Sequence, residues 1–198
     1  MGRTLKMKEM RIILLTSALL LAGAIAAPAQ TASRAAGSAN TFPGLNPAAK
    51  QKLAAAKMAL AFALPTWLPE GFKIENVHYR LGSTVPLDQK QFFVVYRRDL
   101  PGGKHQSFSI EAGFDGLGDL MYDGARTVKT PIGTVYLIYQ PNDEEGKKLT
   151  DFSMTEWYTI GKTAFHYDGM FGSYDDPDTH VMIPLADTLK ILRSLKRY

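Results

Sequence analysis

The chain has 198 residues, 45% of them apolar, and a formal net charge of +4, which suits one domain with or without a tail. It contains no cysteine, which excludes disulfides, thiolate metal sites and a lipidated-cysteine anchor. Four basic and one acidic side chain fall within residues 1–29; the remainder is near +1 and carries no basic-aromatic stripe, so nothing points to nucleic acid.

Residues 1–29 read as a secretory signal peptide. Arg3, Lys6, Lys8 and Arg11 form a basic leader, Ile12 to Ile25 is a largely apolar run, and small residues follow at Ala24, Ala26, Ala27 and Ala29. Cleavage fits after Ala29 or after Ala26, and the former is preferred. The run is shorter than the roughly twenty residues a bilayer span needs, which weighs against a retained anchor. The expectation is an exported protein, periplasmic or extracellular, with no membrane span after cleavage. Residues 30–46 are rich in Ala, Ser, Gly and Thr and cannot bury enough surface to offset ordering entropy, so they read as a flexible leader.

Asn46-Pro47 supplies a capping residue and a first-turn proline ahead of strong helix formers. The spacing predicts an amphipathic helix within 47–64, with Leu53, Ala56, Leu60 and Ala63 on one face. Pro65-Thr-Trp-Leu-Pro-Glu-Gly-Phe72 then forms a stiff corner. Its prolines fix φ, Gly71 can take the positive φ of a tight turn, and Trp67, Leu68, Pro69 and Phe72 are expected to pin the corner into the core.

Beyond the corner the period changes from helix to strand. Phe72–Tyr79 alternates, Gln91–Arg97 is β-branched and aromatic, and residues 107–112 alternate after the turn at Asp99-Leu-Pro-Gly-Gly103. The last two should pair as an antiparallel hairpin. Further strands are expected at 125–130, 133–140, 152–160, 163–167 and 180–183. The chain closes on Pro184 to Tyr198, where Leu185, Leu189, Leu192 and Leu195 share a helical face and the charges suit the helix dipole. Residues 65–198 therefore predict an α+β domain: a single antiparallel β-sheet packed against an N-terminal and a C-terminal helix.

No pattern for chemistry emerges. His78, His105, His166 and His180 show no i, i+4 zinc spacing. The richest constellation is His166, Asp168, Asp175, Asp176, Asp178 and His180, but its acidic run lacks the glycine and distal glutamate of a calcium loop and reads as solvated. Gly172-Ser173 lacks the glycine order of a nucleophile elbow. Gly113-Phe-Asp-Gly-Leu-Gly118 is not followed by a phosphate-binding helix and reads as a turn, and Glu144-Glu145 sits in a hydrophilic turn. No catalytic residue, cofactor site or metal site is assigned. Tyr122, Trp157, Tyr158, Phe165, Tyr167, Phe171 and Tyr174 concentrate in the second half. They read first as core; an exposed subset would mark a binding surface.

Trp67-Leu-Pro-Glu-Gly-Phe72, the Phe-Phe-Val-Val-Tyr-Arg-Arg-Asp-Leu run at 92–100, Ser-Phe-Ser-Ile at 107–110, Gly124-Ala-Arg-Thr-Val128 and the closing Leu-x-x-Thr-Leu-x-x-Leu-x-Ser-Leu at 185–195 follow in a familiar order. Together they resemble the C-terminal domain of the RseB/MucB type of periplasmic sigma-factor regulators, and a related bacterial envelope domain of unknown function. The resemblance covers roughly residues 65–195. It implies an envelope protein that binds another protein, with the extracytoplasmic part of an anti-sigma factor as precedent. The lipoprotein-carrier-like half of those regulators has no counterpart in residues 30–64, so sensing by that half is not carried over.

The resulting expectation is a non-enzymatic, protein-binding and regulatory envelope module, with partner contacts at Arg97, Arg126, Tyr122, Trp157 and Tyr158. One rival is a carrier or sensor of a hydrophobic ligand, lipid or lipoprotein, which requires a deep apolar cavity. Another is a metal-assisted hydrolase, which requires His166, Asp168 and His180 to converge within about 5 Å.

Overall fold

Asn46 opens the first ordered element in the manner its sequence implies. Its side chain accepts the Ala49 N–H at 2.8 Å, and Pro47 occupies the first turn of α1, Pro47–Lys57. The computed structural model describes residues 42–114, 124–171 and 178–198. The signal-peptide segment, Tyr122, Tyr174 and most of the acidic run at 175–178 lie outside them. Residues 42–46, expected to be part of the flexible leader, are tied down: the Gly44 carbonyl accepts the Ile74 N–H at 3.0 Å, and the Asn46 amide donates to the Ile74 carbonyl at 3.3 Å. Only glycine suits position 44, because φ is +77° and an added Cβ would lie 3.1 Å from the Ile74 nitrogen.

The helix is shorter than its sequence suggests. It stops at Lys57, and Ala63–Pro65 forms a strand, β1. Residues 62–65 are all buried, and a short, uniformly buried apolar run is as compatible with a strand as with a helix. Its partner comes from the far end of the chain. The terminal helix α2, Leu185–Arg193, ends before Leu195–Arg197, which forms β10 antiparallel to β1. Hydrogen bonds from Tyr198 N–H to Phe62 O (3.1 Å) and from Thr66 N–H to Ser194 O (3.0 Å) flank this ladder. Alternation then puts Pro65 opposite Leu195 at a non-hydrogen-bonded pair, where the missing proline N–H costs nothing.

The remaining strands form one eight-stranded sheet in which every pair is antiparallel. They are β2 Lys73–Arg80, β3 Gln91–Asp99, β4 His105–Gly113, β5 Arg126–Thr130, β6 Gly133–Tyr139, β7 Ser153–Thr155, β8 Tyr158–Ile160 and β9 Thr163–Asp168. The order is β2-β3-β4-β9-β7-β6-β5, with β8 also on β9. The expected hairpin of the second and third of these strands is present. The α+β class and the antiparallel arrangement agree with the sequence reading; the single sheet does not, because the β1–β10 pair is a second one.

Two other strands depart from expectation. Residues 152–160 are broken into β7 and β8: Met154 pairs with Asp168 and Tyr158 with Phe165, so the 154–158 segment carries one residue more than its partner. At this bulge the Thr155 hydroxyl accepts the Tyr167 N–H at 2.9 Å in place of a backbone carbonyl. Residues 180–183 make a single bridge, His105 to His180, and no strand.

One face of the sheet carries the core. Val94, Tyr96, Phe108, Ile110, Leu137, Phe165 and Tyr167 are buried there with Leu53 and Ala56 of α1, Ile191 and Leu192 of α2, and Leu64 and Leu195 of the small sheet. Each such large apolar side chain contributes about 1.5–3 kcal/mol on burial. The corner is built into this arrangement only in part. Pro69 is buried, Leu68 packs against the core, Phe72 is 6% exposed and Gly71 has φ +88°. Trp67, expected in the core, is instead 36% exposed, with the Lys190 ammonium 5.2 Å from its ring centroid. The β1–β10 ladder turns the chain outward at this point.

Candidate functional site

Three segments far apart in sequence meet at Tyr198. The Phe42 ring lies 5.1 Å from it and the Phe62 ring stacks on it at 5.2 Å and 14°, while the Lys57 ammonium sits 5.4 Å above its face. Residues 42–45 and α1 form the opposing walls of an open groove of about 730 Å³, floored by Phe42, Leu45, Ala54 and Tyr198 and rimmed by Lys50 and Lys57. A second hollow of about 370 Å³ continues past Lys57 and Tyr198 to Leu60, Phe62 and Arg197. Met58, 89% exposed, stands beside it. An apolar floor with a polar rim is the usual anatomy of a binding surface.

The second place of interest is polar and lies on the sheet face opposite the main core. Alternation from the paired residues puts Phe93, Ser109, Glu111, His166 and Asp168 on this face. The Ser109 hydroxyl donates to Glu111 Oε1 at 2.5 Å, and His166 Nε2 lies 3.5 Å from Glu111 Oε2. Trp157 stacks on the His166 ring at 4.3 Å and 20°. Burial raises the Glu111 carboxyl, but hydrogen bonds from His166 and Ser109, with the attraction of His166, outweigh it and leave the group below its usual range. Asp168 goes the other way. Burial is the main cause and the nearby Glu111 charge adds to it; together they outweigh the Met170 N–H bond and the attraction of His166 and push the carboxyl up to about 6.

These groups do not form a nucleophilic relay. The serine proton is directed to the carboxylate and the histidine faces the same carboxylate, so no base addresses the Ser109 oxygen, which is itself fully buried. Nor do they converge with His180. That ring packs on His105, centroids 5.5 Å apart, and His105 and Glu111 lie six residues apart on β4, about 20 Å. Burial lowers the His180 pKa, with His105 adding to the effect and the Ser107 backbone opposing it. Among the described residues, no group of three or more His, Asp or Glu is placed to hold a metal ion.

The residues singled out from sequence are dispersed. Arg97 lies half-buried on the polar face, 3.2 Å from Asp99 and 3.7 Å from Glu75. Arg126 is exposed on the edge strand β5, and its register opposite Leu137 puts it on the other face. Tyr158 is buried in the core at 7% exposure; burial pushes its phenol well above the usual range. Trp157, its neighbour, is half-buried on the polar face. Sequence reasoning missed the groove, because Phe42, Lys50, Lys57 and Tyr198 belong to an expected leader, an expected amphipathic helix and an expected helical tail. No protein-family model, curated protein or solved structure matches this chain.

Among the described residues no helix is long and apolar enough to cross a membrane. The fold and site thus define an antiparallel α+β domain with an open, basic-rimmed apolar groove on its helical side.

Proposed function

We propose that this chain is a non-enzymatic, exported module of the cell envelope that binds another protein through the groove between residues 42–45, α1 and Tyr198. The observation that carries the reading is that open groove of about 730 Å³, apolar at its floor and cationic at its rim. The basic-then-apolar leader of residues 1–29 supports export. The resemblance to RseB/MucB-type regulators supports a regulatory role, with an anti-sigma factor's extracytoplasmic segment as the precedent for a partner. The carrier reading calls for a deep apolar cavity; an open groove whose charged side chains are cationic favours a protein partner.

The test is a photoreactive amino acid placed at Ala54, on the groove floor, and at Tyr136, which is 45% exposed on the outer sheet face. Irradiation in the native cell should trap one envelope protein from position 54 and not from 136. Trapping of lipid alone from position 54, or equal yields from both sites, refutes the reading.

A further inference from the structure

The charged side chains that line the groove are all basic. Lys50, Lys57 and Arg197 line it and its continuation, and the lining holds no carboxylate side chain. None of the three cations is in an ion pair among the described residues. The sequence explains why: from Gln30 to Pro69, and again from Thr188 to Tyr198, there is no Asp or Glu. The β1–β10 ladder folds these two acid-free stretches against each other. No Asp or Glu side chain close in sequence is therefore there to pair with the rim.

Charge also decides between occupants. Residues 30–41, next to the groove in sequence, carry Arg34, no acid and no large apolar side chain. They complement neither the rim nor the floor. An external segment with acidic groups and a bulky apolar side chain complements both.

The spacing of the cations adds a length. Lys50 and Lys57 are seven residues apart on α1, hence on one face and separated by two turns, about 10 Å along the axis. In polyproline II chain, residues i and i+3 share a face and lie about 9 Å apart. Ala54 lies between the two lysines and presents only a methyl group, which lets a backbone approach the helix.

We propose that the groove binds an acidic segment of a partner protein in the polyproline II conformation, with two carboxylates three residues apart meeting Lys50 and Lys57 and an aromatic or aliphatic side chain between them on the Tyr198 ring. This rests on the protein-binding reading above and deepens it. Exposed ion pairs each add little, so the apolar contact anchors the segment while the lysines set orientation, association rate and salt sensitivity.

The experiment titrates the full chain against short fluorescein-labelled peptides by anisotropy. One carries Glu-Leu-Phe-Glu, a second Lys-Leu-Phe-Lys, a third Glu-Ser-Ser-Glu, each between Gly-Ser linkers. The first should bind, the other two at least about tenfold more weakly. Binding of the first should fall about tenfold or more in the K50E/K57E double variant and severalfold in K50E alone, which leaves the Lys57–Tyr198 contact in place, and should weaken severalfold with added salt. Equal binding of the acidic and basic peptides, no binding of the first, or insensitivity to the charge reversal overturns the proposal. Tighter binding to phosphatidylglycerol vesicles than to the first peptide overturns it in favour of a lipid surface. If the peptides fail while the crosslinker at position 54 still traps one protein, the protein-binding reading stands and the acidic segment falls; if both fail, both fall.

Discussion

Ser194 holds the Trp67 backbone. Its hydroxyl accepts the Trp67 N–H at 3.1 Å and donates to the Ile191 carbonyl at 2.8 Å, with the Trp67 carbonyl an alternative acceptor at 3.3 Å. Its own carbonyl accepts both the Thr66 N–H and the Thr66 hydroxyl. The corner after α1 and the end of α2 are thereby one structural unit, although they lie 127 residues apart. Ser194→Ala removes the shared hydroxyl and is expected to cost about 0.5–1.5 kcal/mol, a partly exposed hydrogen-bond loss. Urea unfolding should show a lower midpoint with an unchanged slope; a changed slope would mean that the substitution alters compactness rather than this contact.

The two aromatic residues of the corner should behave oppositely. Phe72→Ala empties a buried site and removes the ring that the Arg98 guanidinium covers at 5.0 Å, so it should cost about 3–5 kcal/mol. Trp67→Ala removes a ring that is 36% exposed and faces the Lys190 ammonium at 5.2 Å, and should cost less than Phe72→Ala, about 1–2 kcal/mol. Thermal melts of the two variants side by side decide this, and equal losses would place Trp67 in the core after all.

Gly44→Ala is expected to destabilise by more than about 1 kcal/mol, since φ is +77° and the new Cβ meets the β2 backbone at 3.1 Å. The Ile74 amide, which donates to Gly44 O, should exchange with solvent faster in the variant. Unchanged protection at Ile74 would show that residues 42–46 are not held in this way.

Two carboxyls on the polar sheet face give opposed pH dependences. Asp168 is raised from 3.8 to about 6 in the fold, so its contribution to stability is fully present below pH 3.8 and is lost as pH rises through about 6. Glu111 is lowered from 4.5, so its contribution is present above pH 4.5 and is lost as pH falls through its depressed value. Asp168→Asn keeps an oxygen for the Met170 N–H and removes the repulsion with Glu111. Stability at neutral pH should rise by about 1–3 kcal/mol, and the slope between pH 4 and 6 should flatten. Denaturant titrations at a series of pH values measure both, and an unaltered slope would exclude Asp168 as its source.

Much of the framework follows from local chemistry. Asn46-Pro47 dictates the helix start, the turn at Pro101-Gly-Gly103 dictates the β3–β4 hairpin, and alternation at 107–112 dictates a strand. Gly71 takes the positive φ its turn needs. These are decisions made within a few residues, so the sequence carries them.

The remainder depends on partners distant in the chain. The apolar run 63–65 and the segment at Leu195, which continues the apolar face of α2, fit a helix equally well, and they become strands because each supplies the other's hydrogen bonds across about 130 residues. That pairing turns Trp67 outward, brings Tyr198 onto Phe62 and Phe42, and creates the groove. In the same way Ser109, Glu111, His166 and Trp157 become neighbours only through the register of β4 on β9 and the bulge between β7 and β8. The sequence by itself determined the class of fold, the positions of most elements and the excess of positive charge at the two ends of the domain. Tertiary structure alone decided which of those charges face a common apolar surface, because hydrophobic burial and backbone pairing act between segments that no local pattern connects.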